Sequence, residues 1–222
     1  MPNPPSMIEK DSRRERTAPD NARMTISTQQ STTGSWAVAP ADVGSAEALA
    51  LLREYFTDVA DRYYRLHFDR DGTPEEIETG LADTPSDDLA PPTGLFLLGR
   101  YDGEPDACAG LRTLDAATVE LTRVYVRPSR RGTGGGSRLL DAVEEAARAL
   151  GARRIVLDTR LDLVEARALY GRHGYREIPA YSRGPYAEVW YAKDLPNDAD
   201  PADLAPQQLA PQQRADGARA DR

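Results

Sequence analysis

The spacing of apolar residues changes several times between residues 36 and 195, and each change marks an element. Trp36–Ala39 is a short apolar run that predicts a strand. Ala48, Leu51, Leu52 and Tyr55 recur at three- and four-residue spacing, which predicts a helix over Ala46–Phe56. Val59, Tyr63 and Leu66 continue or restart it through residues 57–68. Residues 69–93 are polar and contain Pro74, Pro85, Pro91 and Pro92, so a loop with one helical turn is expected there. Leu95–Tyr101 and Ala107–Thr113 flank Asp102-Gly103-Glu104-Pro105, a hairpin signal. Val119–Val126 predicts a third long strand. Leu139, Leu140, Val143, Ala146, Ala147 and Leu150 form an amphipathic stripe that starts near Ser137 and stops at Gly151. Ile155–Leu157 reads as a buried strand, Leu163–Arg172 as a helix and Val189–Ala192 as a final strand. This order predicts an α/β fold with a mixed sheet.

Composition changes the picture mainly at the ends. Residues 1–35 are rich in Pro, Ser, Thr, Gln and charge, with no apolar period. Residues 197–222 repeat Leu-Ala-Pro-Gln-Gln at 204–208 and 209–213. Neither segment offers enough apolar surface to offset its ordering entropy, so disorder is expected in both, around a domain at 36–196. Met1, Met7 and Met24 leave the start of translation open. The 222 residues carry a net charge of -8. The two ends contribute +1 and -2, so the domain holds the remaining -7. That acidity argues against nucleic acid as a partner. No apolar run reaches the ~18 residues of a membrane span, and no secretory leader is apparent, so a cytoplasmic protein is expected. Cys108 is the single cysteine, which excludes an intrachain disulfide and a cysteine-cluster metal site.

Candidate chemistry begins at Val124-Tyr-Val-Arg-Pro-Ser-Arg-Arg-Gly-Thr-Gly-Gly-Gly-Ser-Arg-Leu-Leu140. A strand runs into a basic, glycine-rich loop, and a helix follows. Backbone N–H groups leading into a helix N-terminus suit a pyrophosphate, although composition alone also allows an ordinary glycine loop. No Gly-Lys-Ser/Thr closes the loop, and Pro128, Arg130 and Arg131 do not suit a tight dinucleotide turn.

These residues resemble a family. Arg131-x-x-Gly134-x-Gly136, within Val-x-Pro-x-x-Arg-Gly-x-Gly-x-Gly-x-x-Leu-Leu, resembles motif A of the GNAT superfamily of N-acetyltransferases. Glu120-Leu-Thr-Arg-Val-Tyr-Val126 resembles the strand before that motif. Ala166-Arg-Ala-Leu-Tyr170-Gly-Arg-His-Gly174-Tyr175 resembles motif B. The order and spacing match over about 36–195, through Glu177-Ile-Pro-Ala-Tyr181 to Lys193-Asp194-Leu195. Leu163 departs from the Asn that motif B often carries at that position. The resemblance implies a GNAT-like, mostly antiparallel central sheet flanked by helices. It implies acetyl-CoA as co-substrate, no metal, and an amine of a small molecule or peptide as acceptor, with a homodimer left open. Cofactor contacts are expected at Val124, Tyr125, Val126, Arg131, Gly132, Thr133, Gly134, Gly135, Gly136 and Ser137.

Acetyl transfer to an amine sets three chemical tasks. An alkyl ammonium with a pKa near ~10 must lose a proton before its nitrogen can attack. Glu120 matches the strand position from which several family members supply that base; its other reading is a solvated residue on one strand face. The thioester oxygen gains negative charge, and the resemblance places an N–H donor near Val124 or Tyr125 at a strand bulge. The leaving thiolate needs a proton or a hydrogen bond, and the resemblance to motif B implies the Tyr170 phenol as its source; core packing is the alternative for its ring.

Asp162 and Glu165 have the spacing of an N-cap pair. Cys108 reads as a packed thiol, and His67 and His173 are isolated. In a regular strand Arg123 falls on the face opposite Glu120. The carboxylates Asp69, Asp71, Glu75, Glu76, Glu78, Asp83, Asp87 and Asp88 read as a solvated loop, or as a lure for a cationic acceptor. Two functions follow: an N-acetyltransferase, or a non-catalytic acyl-CoA sensor built on the same cradle.

Overall fold

The computed structural model describes residues 34–196. The disorder expected for 1–35 and 197–222 concerns segments that lie, apart from residues 34 and 35, outside the described residues. Seven strands form one sheet: β1 (Trp36–Ala41), β2 (Gly94–Tyr101), β3 (Glu104–Thr113), β4 (Thr118–Val126), β5 (Arg154–Thr159), β6 (Arg176–Ile178) and β7 (Val189–Asp194). Their spatial order is β1-β2-β3-β4-β5-β7-β6. Every neighbouring pair is antiparallel except β4 and β5. Helices α1 (Ala46–Phe68), α2 (Pro74–Asp83), α3 (Gly135–Ala149) and α4 (Val164–Arg172) complete the fold, and α3 is the crossover that a parallel pair requires.

Both faces of the sheet are covered. Phe96, Leu98 and Cys108 pack with Ala48, Leu51 and Leu52 of α1 on one side. Leu97, Ala107, Ala109 and Leu111 pack with Leu139, Leu140, Val143 and Ala147 of α3 on the other. Burial on two faces explains why β2 and β3 are continuous apolar runs rather than alternating ones. Their hairpin turns through Asp102 (φ 51°) and Gly103 (φ 92°), the pair of positive φ values that a two-residue type I′ turn needs.

The structure resolves one open expectation and adds two elements. Residues 57–68 continue α1 as one 23-residue helix, which begins at the Ser45 cap, whose hydroxyl accepts from the Ala48 N–H. The polar stretch 69–93 holds the ten-residue helix α2 in place of one turn. No α2 residue is buried, so it has no apolar period; its signal is the capping box Thr73-Pro-Glu-Glu76, with Pro at the first turn. Strand β6 has three residues, too few to show alternation, and is held by pairing with β7.

Candidate active site

The parallel rungs of β4 and β5 are Thr118–Arg154, Val119–Ile155 and Glu120–Val156, and there they end. Beyond Glu120 the strands diverge, which opens the carboxyl ends of a parallel pair, a common place for ligands in α/β sheets. On its other edge β4 carries a bulge. Gly110 faces Thr122 and Cys108 faces Tyr125, so Ala109 opposes both Arg123 and Val124. Arg123 takes φ 55°, a left-handed conformation costly for a side chain of its kind. This corrects the regular-strand expectation, because the bulge turns Arg123 toward the same cavity as Glu120.

That cavity has a volume of about 630 Å³ and includes Asp83, Asp87, Asp88, Glu120 and Asp158 with Arg112 and Arg123 in its lining. The Glu120 side chain is only 14% exposed. It accepts from Arg112 Nη1 at 2.7 Å and from the Tyr181 hydroxyl at 2.9 Å. Arg112 faces Glu120 directly across β3 and β4 and also holds Asp88. Burial pushes the Asp158 carboxyl above the usual range; the Ser182 hydroxyl opposes the shift and the Glu120 charge adds to it. Ser182 Oγ lies 3.0 Å from Asp158 Oδ2 and accepts from Trp190 Nε1 at 2.8 Å. Burial and the Glu120 charge likewise raise the Tyr181 phenol, so it stays a proton donor to Glu120.

Sequence reasoning passed over Arg112, Asp158, Tyr181 and Ser182. A carboxylate inside the apolar run Ile-Val-Leu-Asp158 was a usable signal for one of them. The others depend on strand register and on the connection between β6 and β7. Tyr170 is buried and lies outside the cavity lining, its ring against Tyr175 and Tyr191. Burial raises its phenol first, with smaller contributions from Tyr55 and Asp158.

The glycine loop connects β4 to α3. Gly132 (φ 82°) and Gly134 (φ 90°) are left-handed, and a Cβ on either would meet nothing within 4 Å. Open space and unhindered backbone fit the close approach of a ligand. Gly134 is also the N-cap of α3 and offers no side chain to its first N–H groups, so these remain for an anion. Gly135 and Gly136 have a different reason to lack a side chain. A Cβ on Gly135 would lie 2.3 Å from the Trp36 ring, and one on Gly136 would lie 3.0 Å from Leu169. Thr133 Oγ1 braces the loop, accepting from Trp36 Nε1 at 3.0 Å and donating to the Arg130 carbonyl at 2.7 Å. The loop's arginines are anchored too: Arg127 to Glu54 and Asp106, Arg130 to Asp106, and Arg131 to Asp58 at 3.2 Å and to the Val126 carbonyl. The cradle is therefore one of backbone, with Ser137 in the first turn of α3 and Val124–Val126 along the strand that leads into it.

The remaining candidates divide. The Asp162–Glu165 cap is overturned: α4 starts after Leu163 without a side-chain cap, Asp162 pairs with Arg160, and Glu165 pairs with Arg62. Cys108 is fully buried with its thiol pushed up to about 12 by burial, as a packed thiol should be. The acidic segment splits, with Asp71, Glu76 and Glu78 bound to Arg65, Arg70 and Arg53, whereas Asp83, Asp87 and Asp88 reach the cavity. Among the described residues no His, Cys, Asp and Glu cluster is placed to hold a metal, and no helix is long and apolar enough to cross a membrane.

Comparison with known proteins agrees with this fold. The Acetyltransferase (GNAT) family model matches residues 49–175, more than half of the chain. An uncharacterized N-acetyltransferase of Schizosaccharomyces pombe is 30% identical over 132 residues, covering 59% of this chain and 80% of that protein. The IAA acetyltransferase of Azospirillum brasilense is 32% identical over 99 residues, 44% of this chain and 61% of its own. Among solved structures, an acetyltransferase of Streptococcus agalactiae superposes with a TM-score of 0.55 at 19% identity, covering 72% of this chain and 98% of that one. The PaiA N-acetyltransferase of Thermoplasma acidophilum, in complex with coenzyme A, has a TM-score of 0.52 at 17% identity, with 72% and 99% covered. Fold and site together define an acyltransferase that uses acetyl-CoA as co-substrate. The chain belongs to the GNAT acetyltransferase family.

Proposed function

We propose that the protein transfers the acetyl group of acetyl-CoA to an amine of a small molecule or a peptide. The observation that carries the amine is the acidic cavity, where Glu120 and Asp158 meet beside the last β4–β5 rung. Clustered carboxylates attract an ammonium group and then accept its proton. Acetyl-CoA supplies the activated acetyl thioester. The first-turn N–H groups of α3 and the loop 131–137 hold its pyrophosphate, and the backbone of Val124–Val126 lies along its acyl-bearing arm.

Glu120 is the proton acceptor in this reading. It already accepts two hydrogen bonds, yet each carboxylate oxygen has two lone pairs, so capacity for the ammonium remains. Backbone N–H groups at the bulge, around Val124 and Tyr125, would stabilise the oxygen that becomes negative. The amine nitrogen adds to the thioester carbon, the tetrahedral adduct then breaks its C–S bond and expels the thiolate, and the second proton shed by nitrogen ends on sulfur. Tyr170, kept protonated by its burial and assigned by its motif B position, relays it by giving its own proton to the thiolate and regaining one from nitrogen. The family assignment supports an enzyme over an acyl-CoA sensor.

Glu120→Gln tests the assignment. It keeps shape and removes the base, so turnover at neutral pH should fall by roughly 10²–10⁴-fold. The deficit should shrink in alkaline buffer as the amine deprotonates unaided, while CoA binding persists. Tyr170→Phe should show no alkaline rescue. Near-normal turnover of a high-pKa amine by Glu120→Gln at neutral pH would move the base elsewhere, and CoA binding without turnover of any amine would restore the sensor.

A further inference from the structure

Of the two arginines in the cavity lining, only Arg112 is neutralised, by Asp88 and Glu120. Arg123 forms no ion pair with any carboxylate among the described residues. Its guanidinium donates to neutral oxygens: Nε to Ser86 Oγ at 3.2 Å, Nη1 to Thr122 Oγ1 at 3.3 Å and Nη2 to the Thr84 carbonyl at 3.0 Å. It lies over the Phe56 ring at 4.9 Å and the Tyr55 ring at 5.9 Å. A guanidinium has five N–H donors. Three are engaged, which leaves one on each Nη.

A partnerless cation in a cavity with five carboxylates in its lining is not what packing alone would produce. The bulge that turns Arg123 inward places it in a left-handed conformation, and such strain is retained where a side chain has to be aimed. The neutral oxygens and the aromatic rings orient the guanidinium and leave it without a carboxylate in direct contact, Asp158 acting on it only from a distance. A planar fork of this kind matches a carboxylate.

We infer that the acceptor is an amine that also carries a carboxylate, as amino acids do, with Arg123 holding the carboxylate while the ammonium faces Glu120. The inference rests on the amine-acetylation reading above and narrows it. The neutral zwitterion also suits a rim bearing Asp83 and Asp87, which would oppose a net anion.

The test compares amino acids with their carboxamides, which replace the carboxylate by a neutral group of the same shape. The amide's ammonium is the more acidic of the two, so a preference for the acid cannot come from a larger supply of free amine. With saturating acetyl-CoA, the acids should be used roughly 10–100-fold better in kcat/KM, mainly through KM, the factor expected of charge-assisted hydrogen bonds. Arg123→Gln should erase that preference. Amides used as well as acids by the wild-type protein, or a preference that survives in Arg123→Gln, would overturn the inference and leave amine acetylation standing. If neither kind is acetylated while another amine is, the inference fails alone; if no amine at all is acetylated, the amine reading itself fails, and calorimetry on the CoA-loaded protein decides the subsite. Acids binding in preference to amides would support it; equal binding or none would remove it.

Discussion

At the scale of single residues, the site depends on how charges are partnered. Glu120 lies between Arg112 and Tyr181, Asp158 rests on Ser182, and Arg123 meets only neutral oxygens. Asp158 has a measurable consequence for stability. Burial raises its carboxyl above the ordinary 3.8, so the folded state favours the protonated form. That contribution is complete below about 3.8 and is lost as pH rises through the raised folded value. Asp158→Asn keeps an acceptor for Ser182 and removes the buried charge. The variant should melt higher than the wild-type protein at pH 7, with the gain fading toward pH ~3. Thermal unfolding across that range checks it, and an equal gain at both ends would show that the charge is not the cause.

At the scale of elements, the loop from β4 to α3 uses its glycines for two different purposes. Gly134→Ala forces a Cβ into a left-handed position and should cost about 1–2 kcal/mol without touching a neighbour. Gly135→Ala drives a Cβ against the Trp36 ring, so it should also displace that indole from Thr133. Denaturant unfolding paired with tryptophan emission separates them: both variants lose stability, and only Gly135→Ala should shift the folded-state spectrum. Helix α2 is held differently, by its capping box and ion pairs with no buried residue. Thr73→Ala should cost that helix ~1 kcal/mol. Hydrogen exchange over Pro74–Asp83 should quicken while the core strands keep their protection, since a peripheral helix can open locally.

At the scale of the whole molecule, one sheet serves two cores. Phe96 belongs to the α1 side and Leu140 to the α3 side, and both are fully buried. Phe96→Ala should cost about 3–5 kcal/mol and Leu140→Ala about 2–5 kcal/mol. Because β2 and β3 contribute side chains to both layers, each loss should lower the same single transition. Two resolved transitions in calorimetry would show that the layers fold independently. The arrangement also positions the site, since Val119, Leu121, Ile155 and Leu157 anchor the β4–β5 pair in the α3-side core.

Local chemistry and spacing determined much of this protein. The apolar periods of α1, α3 and the long strands, the Asp102-Gly103 turn and the glycine loop are properties of short segments, because side-chain direction follows from helix or strand period. The resemblance of residues 120–140 and 166–175 to two family motifs led to the family on the same local grounds. Helix α2 and strand β6 escaped, one having no buried face and the other no length. Only the tertiary structure decided what the charged residues do. A bulge one residue long reversed the face of Arg123, strand register put Arg112 opposite Glu120, and chain crossing brought Asp158 and Ser182 to the same cavity and the Tyr181 hydroxyl to Glu120. These partnerships join residues from about 8 to more than 60 positions apart. Their energies depend on burial and distance, which a linear pattern does not encode.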